Sequence, residues 1–136
     1  MPLEVGLRHS ETVAVDVRLL VPAMGDFYTS FADMPPVFAT AFLVGLVEWT
    51  AVNLVKPHLA PGQHSVGTLV DVSHTAATPA GVKATAEVEL VAVEGRKLRF
   101  RVSCRDEAGP IGAGFHERAI VDGERFMAKV EEKRGR

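Results

Sequence analysis

The 136-residue chain has a single cysteine, Cys104, and therefore forms no internal disulfide. Disulfides are rare in reducing compartments, so this composition fits a chain that folds without covalent staples. The N-terminus, Met1-Pro-Leu-Glu4, lacks the charged start, apolar run and small-residue cleavage site of a signal peptide. We therefore expect a cytoplasmic protein, and the length predicts one domain spanning residues 1–136.

The chain also lacks an excess of positive charge. It has 15 lysines and arginines against 17 acids, a formal charge of -2. A protein that tracks phosphates along a nucleic acid is expected to be basic, so we predict no nucleic-acid partner. Basic residues near Arg96–Arg105 alternate along a strand pattern and predict a solvated face.

The one long apolar run, Met34–Val55, contains Glu48 as its only charged residue. Its length would permit a membrane span. However, Pro35 and Pro36 interrupt one end, and a charge inside a span costs roughly 2.5–3.5 kcal/mol on insertion scales. We therefore expect a buried core helix and no membrane.

Hydrophobic periodicity predicts the elements in order. The N-terminal half should contain a strand, a long loop and an apolar helix: Thr12–Leu20, Val21–Pro36 and Val37–Leu59. The second half alternates with period two and turns at Pro79–Gly81, Glu94-Gly95 and Ala108–Pro110. Its four strands are His64–Ala76, Val82–Ala92, a strand around Leu98–Cys104, and Ile111–Val121, and Asp122–Lys133 should finish as a short helix.

Short connections favour antiparallel neighbours, and one helix packed on such a sheet gives an α+β architecture. This order fits a hotdog fold, in which an antiparallel sheet wraps around a long central helix. A cone-shaped sheet of the cystatin type is the alternative. Hotdog domains usually pair, so we expect a homodimer.

Three polar residues fall on predicted apolar faces. Glu48 lies on a helix with no solvent stripe, where an unpaired carboxylate is costly and must find donors or shift its pKa. His74 shares a strand face with Val66, Thr68, Val70 and Val72 if the register holds. Thr40 lies in the first turn, roughly 12 Å along the helix axis from Glu48. A buried interface acid and a satisfied core histidine are the structural alternatives, but together Glu48 and His74 form a plausible acid–base pair.

Other candidates carry weaker signals. His9, His58, His64 and His116 show no metal-ligand spacing, and Cys104 faces the predicted core without an activating partner. The segment GPIGAG, residues 109–114, precedes a strand and contains proline, unlike a dinucleotide-binding loop. We therefore predict no metal and no cofactor.

Four blocks of the sequence closely resemble the fluoroacetyl-CoA thioesterase family of hotdog enzymes. They are PPVFATAFLVGLVEW, GTLVDVSHTAATPAG, VEGRKLRFRVS and IGAGFHERAIV, in the family's order. The resemblance places the family's catalytic threonine, glutamate and histidine on Thr40, Glu48 and His74. It also implies that Gly67 lies beside the thioester and that Arg118 supports the site.

The resemblance has one departure, in the loop before the helix. The family member that detoxifies fluoroacetyl-CoA has paired phenylalanines there, which form a lid over the acyl pocket. Here the first is Phe31, but the second position is Met34. Methionine is apolar but flexible and has no aromatic face. The resemblance therefore supports thioester hydrolysis more strongly than selectivity for the fluoroacetyl group.

The resemblance implies an enzyme that hydrolyses a short acyl-CoA to the acid and free CoA, with CoA present only as part of the substrate. Glu48 would act as nucleophile or general base, and His74 would move the proton. Thr40 would polarise the thioester or orient Glu48. A non-catalytic acyl-CoA or small-ligand binding module and a hotdog hydratase or dehydratase are the alternatives.

Overall fold

The computed structural model describes residues 2–135. Two helices and five strands carry the fold, joined by short 3-10 turns. In chain order they are β1 (Arg8–Ala14), α1 (Thr40–Val55), β2 (Gln63–Val72), β3 (Lys83–Glu94), β4 (Lys97–Asp106), β5 (Gly109–Asp122) and α2 (Gly123–Glu131). Neither helix is long and apolar enough to cross a membrane, among the residues described.

All five strands form one antiparallel sheet in the order β1-β3-β4-β5-β2. The central strands alternate as predicted: Ala84, Ala86, Val88 and Leu90 of β3 are fully buried. In β4, Leu98, Phe100, Val102 and Cys104 face the same core. These side chains enclose α1, whose buried residues include Leu43, Val47 and Leu54. The α+β hotdog prediction is thereby confirmed.

The first predicted strand was placed too late in the chain. β1 ends at Ala14, whereas the prediction ran from Thr12 to Leu20. Asp16 ends the strand because its carboxylate accepts a hydrogen bond from the Arg18 backbone N–H at 2.8 Å and caps a 3-10 turn. The loop at residues 21–36 contains two further 3-10 turns, over Val21–Met24 and Thr29–Phe31.

Helix α1 is shorter than predicted at both ends. Before it, Phe38 and Ala39 stay extended, since their N–H groups donate to the carbonyls of Thr78 and Leu19. Phe38 also forms a β-bridge with Leu20. After it, Pro57 enters a 3-10 turn over Lys56–His58. Thr40 is consequently the first residue of the helix.

The predicted face of β2 is half wrong, and a bulge explains why. Pairing with β5 shifts between Gly67 and Leu69, so Thr68 is an extra residue. Before the bulge, Gly67 pairs with Arg118 and shares its inward face; after it, Val70 pairs with buried His116. Val66 and Thr68 therefore lie on the outer face, whereas Val70 keeps the inward orientation that was predicted.

Candidate active site

The first part of the candidate site joins the start of α1 to the segment after β2. The Thr40 hydroxyl and His74 Nδ1 lie 2.8 Å apart. The His74 ring meets the buried Phe38 ring edge-on, with centroids 6.4 Å apart. Its Nε2 is buried and, within residues 2–135, has no hydrogen-bond partner. Burial lowers the pKa of His74, so the ring is kept neutral and presents one uncommitted nitrogen.

The second part of the site surrounds Glu48 in the middle of α1. The Arg118 guanidinium donates from Nη1 to Glu48 Oε2 at 2.8 Å. The Arg118 side chain is only 5% exposed, whereas that of Glu48 is 42% exposed. Glu48 thus has a buried cationic partner and is still open to solvent. The acid that looked unpaired within the apolar helix sequence is paired with an arginine on β5.

Arg118 is itself fixed by three other contacts. Its Nε donates to the Ser65 hydroxyl at 2.9 Å, and Nη2 donates to the Ser65 carbonyl at 2.8 Å. Nη1 also lies 3.1 Å from His116 Nε2. A guanidinium held at all three nitrogens has little freedom, so it sets the position of the Glu48 carboxylate.

Gly67 faces the Glu48 carboxylate across the edge of the sheet. A Cβ atom added to Gly67 would lie 2.6 Å from Glu48 Oε2. The same atom would lie 3.4 Å from Arg118 Nη1 and 3.5 Å from His116 Cε1, which are ordinary contacts. The missing side chain of Gly67 is therefore what leaves room for the carboxylate in this position.

The sequence reasoning missed His116 and Ser65. His116 is fully buried and stacks on Phe100, with ring centroids 6.2 Å apart. Its Nδ1 lies 2.7 Å from the Leu69 carbonyl, which only accepts hydrogen bonds, and its Nε2 faces Arg118, which only donates. The imidazole is consequently neutral with its proton on Nδ1. One sequence signal could have identified His116: it lies two residues before Arg118 in the predicted last strand, so both side chains fall on the same face.

The structure does not join all predicted site residues into one network. No hydrogen bond links Glu48 with His74 among residues 2–135, so Thr40–His74 and Glu48–Arg118 form separate groups along α1. Phe31 packs its ring against Tyr28, with centroids 5.4 Å apart, and Met34 is 47% exposed. Residues 2–135 contain no cluster of three or more side chains that could together hold a metal ion.

Comparison with known proteins decides the family. The profile described as fluoroacetyl-CoA-specific thioesterase, FlK, matches residues 23–124. The chain belongs to this family. A fluoroacetyl-CoA thioesterase from Streptantibioticus cattleyicolor is 45% identical over 131 residues, covering 96% of this chain and 94% of that protein. The predicted family is confirmed, and with it the general class of activity, thioester hydrolysis.

Solved structures agree with this assignment. The structure of fluoroacetyl-CoA thioesterase FlK has a TM-score of 0.95 at 44% identity, and 98% of each chain is covered. A mutant of FlK in complex with acetyl-CoA has a TM-score of 0.93 at 44% identity, covering 96% of this chain and 98% of that one. A thioesterase superfamily member from Thermus thermophilus, only 22% identical, matches with a TM-score of 0.88 and so shares the fold.

The buried neutral state of His116 leads to a stability prediction. Burial is the main cause that lowers its pKa, and the Arg118 charge adds to it, while the Leu69 carbonyl, Glu48 and Glu117 oppose it. The unfolded chain therefore binds more protons just below pH 6.5, so the free energy of unfolding should fall as the pH drops from 7 to 5. Urea unfolding across this range measures the slope.

Replacing His116 by glutamine should make this slope shallower, because glutamine does not titrate. His74, whose pKa burial also lowers, keeps part of the slope in that variant. His64 lies at the surface, and His64→Gln controls for the loss of an imidazole. An equal slope in wild type and His116→Gln would show that His116 is not the group that links folding to pH.

Proposed function

We propose that the protein hydrolyses a short acyl-CoA thioester and that Glu48, His74 and Thr40 carry the reaction. The observation that carries this proposal is the Glu48 carboxylate, which a buried arginine orients and a glycine leaves accessible. The general activity is that of the family; the residue roles and the acyl group are the proposal. The thioester would lie along α1, with its carbonyl carbon facing Glu48.

The chemistry assigned to Glu48 has two routes. As a nucleophile, a carboxylate oxygen attacks the thioester carbon, the thiolate leaves, and water cleaves the resulting anhydride to regenerate the carboxylate. As a general base, Glu48 takes a proton from water, whose oxygen attacks the same carbon. Both routes give one acid and one thiol for each water consumed, and Arg118 positions the carboxylate in either case.

His74 is assigned the proton transfer to the leaving sulfur. When Thr40 donates its hydroxyl hydrogen to Nδ1, the imidazole proton lies on Nε2, the nitrogen without a partner. That N–H is then free to protonate the thiolate as it departs. Thr40 would thus fix the histidine tautomer that supplies the proton. This role is an alternative to polarising the thioester or orienting Glu48, because the hydroxyl has only one hydrogen to donate.

The acyl group is tested with a panel of thioesters. Thiol release is followed from fluoroacetyl-, acetyl-, propionyl-, butyryl- and phenylacetyl-CoA, and the ester with the highest kcat/KM names the substrate class. Tight binding of CoA esters without release of thiol would contradict the proposal and favour a binding module. Hydration of crotonyl-CoA without thiol release would favour a hydratase.

We propose Phe31 and Met34 as lining the acyl pocket, on the strength of the family resemblance. Met34→Phe restores the second aromatic side chain of the family's loop. We expect it to raise the ratio of kcat/KM for fluoroacetyl-CoA over acetyl-CoA by at least about fivefold, which corresponds to roughly 1 kcal/mol. Tyr28→Phe, in the same loop, is the control, and an unchanged ratio in Met34→Phe would remove position 34 from the pocket.

We also propose that the protein is a cytoplasmic homodimer. Within residues 2–135, strand β2 lies at a sheet edge and pairs only with β5. On this strand, Leu69 and Val70 are 41% and 43% exposed. Trp49 on α1 is 45% exposed beside Glu48. An unpaired edge next to exposed apolar side chains is a surface that a second copy would cover. The buried thiol of Cys104, whose pKa burial raises to about 11, fits a chain without disulfides.

The dimer proposal predicts an outcome for Val70→Lys. A charge at this edge should oppose strand pairing and convert the dimer to a monomer, because lysine on an edge strand blocks edge-to-edge association. Sedimentation velocity of wild type and variant measures the mass. Val93→Lys changes a residue of similar exposure on β3 and should stay dimeric. A monomeric wild type would contradict the proposal.

A further inference from the structure

The segment that carries His74 stays bonded to β5 although β2 has already ended two residues before it. On the N-terminal side of the histidine, the Ser73 N–H donates to the Ala113 carbonyl at 2.9 Å. On its C-terminal side, the Thr75 N–H donates to the Ile111 carbonyl at 2.7 Å. These two bonds fix the backbone on both sides of His74.

The Ser73 hydroxyl takes a place in this pairing that a backbone carbonyl fills in a regular ladder. Opposed residues of a hydrogen-bonded antiparallel pair exchange two N–H···O=C bonds. Here the return bond uses the side chain, because the Ala113 N–H donates to Ser73 Oγ at 3.1 Å. The same hydroxyl donates to the Ala113 carbonyl at 3.0 Å. The side chain thus closes the pair with Ala113 and frees the Ser73 carbonyl to point elsewhere.

The freed carbonyl of Ser73 lies against Gly112, which is buried on β5. A Cβ atom on Gly112 would lie 2.1 Å from this carbonyl oxygen and 3.7 Å from His74 Cα. Gly112 has no positive φ, so the space left by its missing side chain is what glycine supplies here. A side chain at this position would have to push the peptide between Ser73 and His74 away from β5.

The far end of the same segment is fixed at Thr78. Its buried side chain donates to Asp106 Oδ2 at 2.7 Å, and its carbonyl accepts a hydrogen bond from the Phe38 N–H at 2.8 Å. Phe38 precedes Thr40 by two residues, and its ring lies edge-on to that of His74. Thr78 therefore holds the start of α1, while the contacts with β5 decide where the histidine lies relative to it.

We propose that Ser73 and Gly112 are positioning residues that set the place of His74 in the reaction. The serine hydroxyl completes the pairing with β5, the glycine receives the carbonyl that this frees, and the peptide leading into His74 is thereby turned. Thr40 Oγ1 and His74 Nδ1 lie 2.8 Å apart, and such a bond weakens beyond about 3.2 Å, so a small displacement of the histidine loosens it. The proposal rests on the proposed function, because it concerns the histidine that the reaction uses.

Ser73→Ala tests the proposal at an exposed position. Without the hydroxyl, the Ala113 N–H should bond to the carbonyl of residue 73, as in a regular ladder, and so rotate the peptide before His74. We expect kcat for the best ester to fall about tenfold and KM to change by less than about twofold. Ser73→Thr keeps the hydroxyl and should restore kcat. Ser103→Ala removes an exposed hydroxyl on β4 and should match wild type. Wild-type kcat in Ser73→Ala, or no rescue by threonine, would overturn the proposal.

A double-mutant cycle with His74→Ala separates this role from a general effect on the fold. If Ser73 acts only through the histidine, Ser73→Ala should cause no further loss of kcat in the His74→Ala background. An equal loss in both backgrounds would overturn the proposal. Full activity of His74→Ala itself would instead contradict the role of the histidine in the proposed function.

The ¹⁵N NMR signals of the His74 ring decide the positioning without turnover, and His74→Ala identifies them. Wild type and Ser73→Thr should show one tautomer, protonated on Nε2, because the Thr40 hydroxyl donates to Nδ1. Ser73→Ala should show a mixture of both tautomers. Gly112→Ala should show the same mixture, since the added methyl group displaces the peptide before His74. A wild-type His74 spectrum in either alanine variant would overturn the proposal, even if the protein hydrolysed no thioester.

Discussion

Glu48→Gln should lower kcat for the best acyl-CoA ester by at least about 10³-fold, because an amide neither attacks the carbonyl carbon nor accepts a proton from water. The substitution keeps the size of the side chain and leaves an amide oxygen to accept the hydrogen bond that Arg118 Nη1 donates to Glu48 Oε2. KM should therefore change little. Steady-state thiol release measures both constants.

Two controls separate chemistry from folding in this variant. Glu94→Gln neutralises an exposed acid at the β3–β4 turn and should keep full activity. Urea unfolding should place Glu48→Gln within about 1 kcal/mol of wild type, since the carboxylate is partly exposed. A Glu48→Gln protein that keeps more than a tenth of wild-type kcat would rule out Glu48 as nucleophile or base.

Gly67→Ala should reduce kcat/KM by about 10²-fold while the fold stays intact. The added methyl group would lie 2.6 Å from Glu48 Oε2, so the carboxylate must move by about 1 Å from the position that Arg118 gives it. A displacement of this size at a reacting group can cost about 10²-fold in rate. The Gly67 backbone has no positive φ, so alanine introduces no backbone strain. Thiol release and urea unfolding measure the two effects.

A double-mutant cycle tests whether Gly67 acts through Glu48. Glu48→Asp shortens the acid by one methylene and should lose activity in the wild-type background, because aspartate withdraws from the substrate. In the Gly67→Ala background the shorter acid also avoids the added methyl group. Glu48→Asp should therefore cost less activity in that background than in wild type. Strictly additive losses would contradict direct contact between the two positions.

The fold follows from sequence where one physical signal dominates. The period-two alternation of β3 and β4 places every second side chain in the core, and the apolar run of α1 can be buried only inside that sheet. The helix ends were less predictable. Phe38 and Ala39 have apolar side chains suited to a helix, yet their backbone N–H groups bond to Thr78 and Leu19, which are distant in sequence.

The bulge at Thr68 is the clearest case in which a local pattern misleads. One continuous face was predicted to carry Val66, Thr68, Val70 and Val72, as strict alternation along a strand implies. One extra residue reverses the side chains before it, which turns Gly67 rather than Thr68 toward Glu48. Bulges depend on pairing with the neighbouring strand, here β5, so a single strand's pattern does not reveal them.

The candidate site was also predicted only in part. His74 was expected to pair with Glu48, whereas the structure places its Nδ1 beside the Thr40 hydroxyl. The partner of Glu48 was named only through the family resemblance, because Arg118 is 70 residues away in sequence. His116 was set aside for lack of metal-ligand spacing, although its role is to accept a hydrogen bond from Arg118. Such contacts across strands depend on register, which periodicity does not supply.

The measurement that tests the central claim most directly is single-turnover thiol release from a short acyl-CoA, with wild type and Glu48→Gln in excess over the ester. The account predicts stoichiometric release of CoA by wild type and a rate at least about 10³-fold lower for Glu48→Gln. Equal rates for the two proteins, or no release by wild type from any short ester, would contradict the assignment of thioester hydrolysis to Glu48.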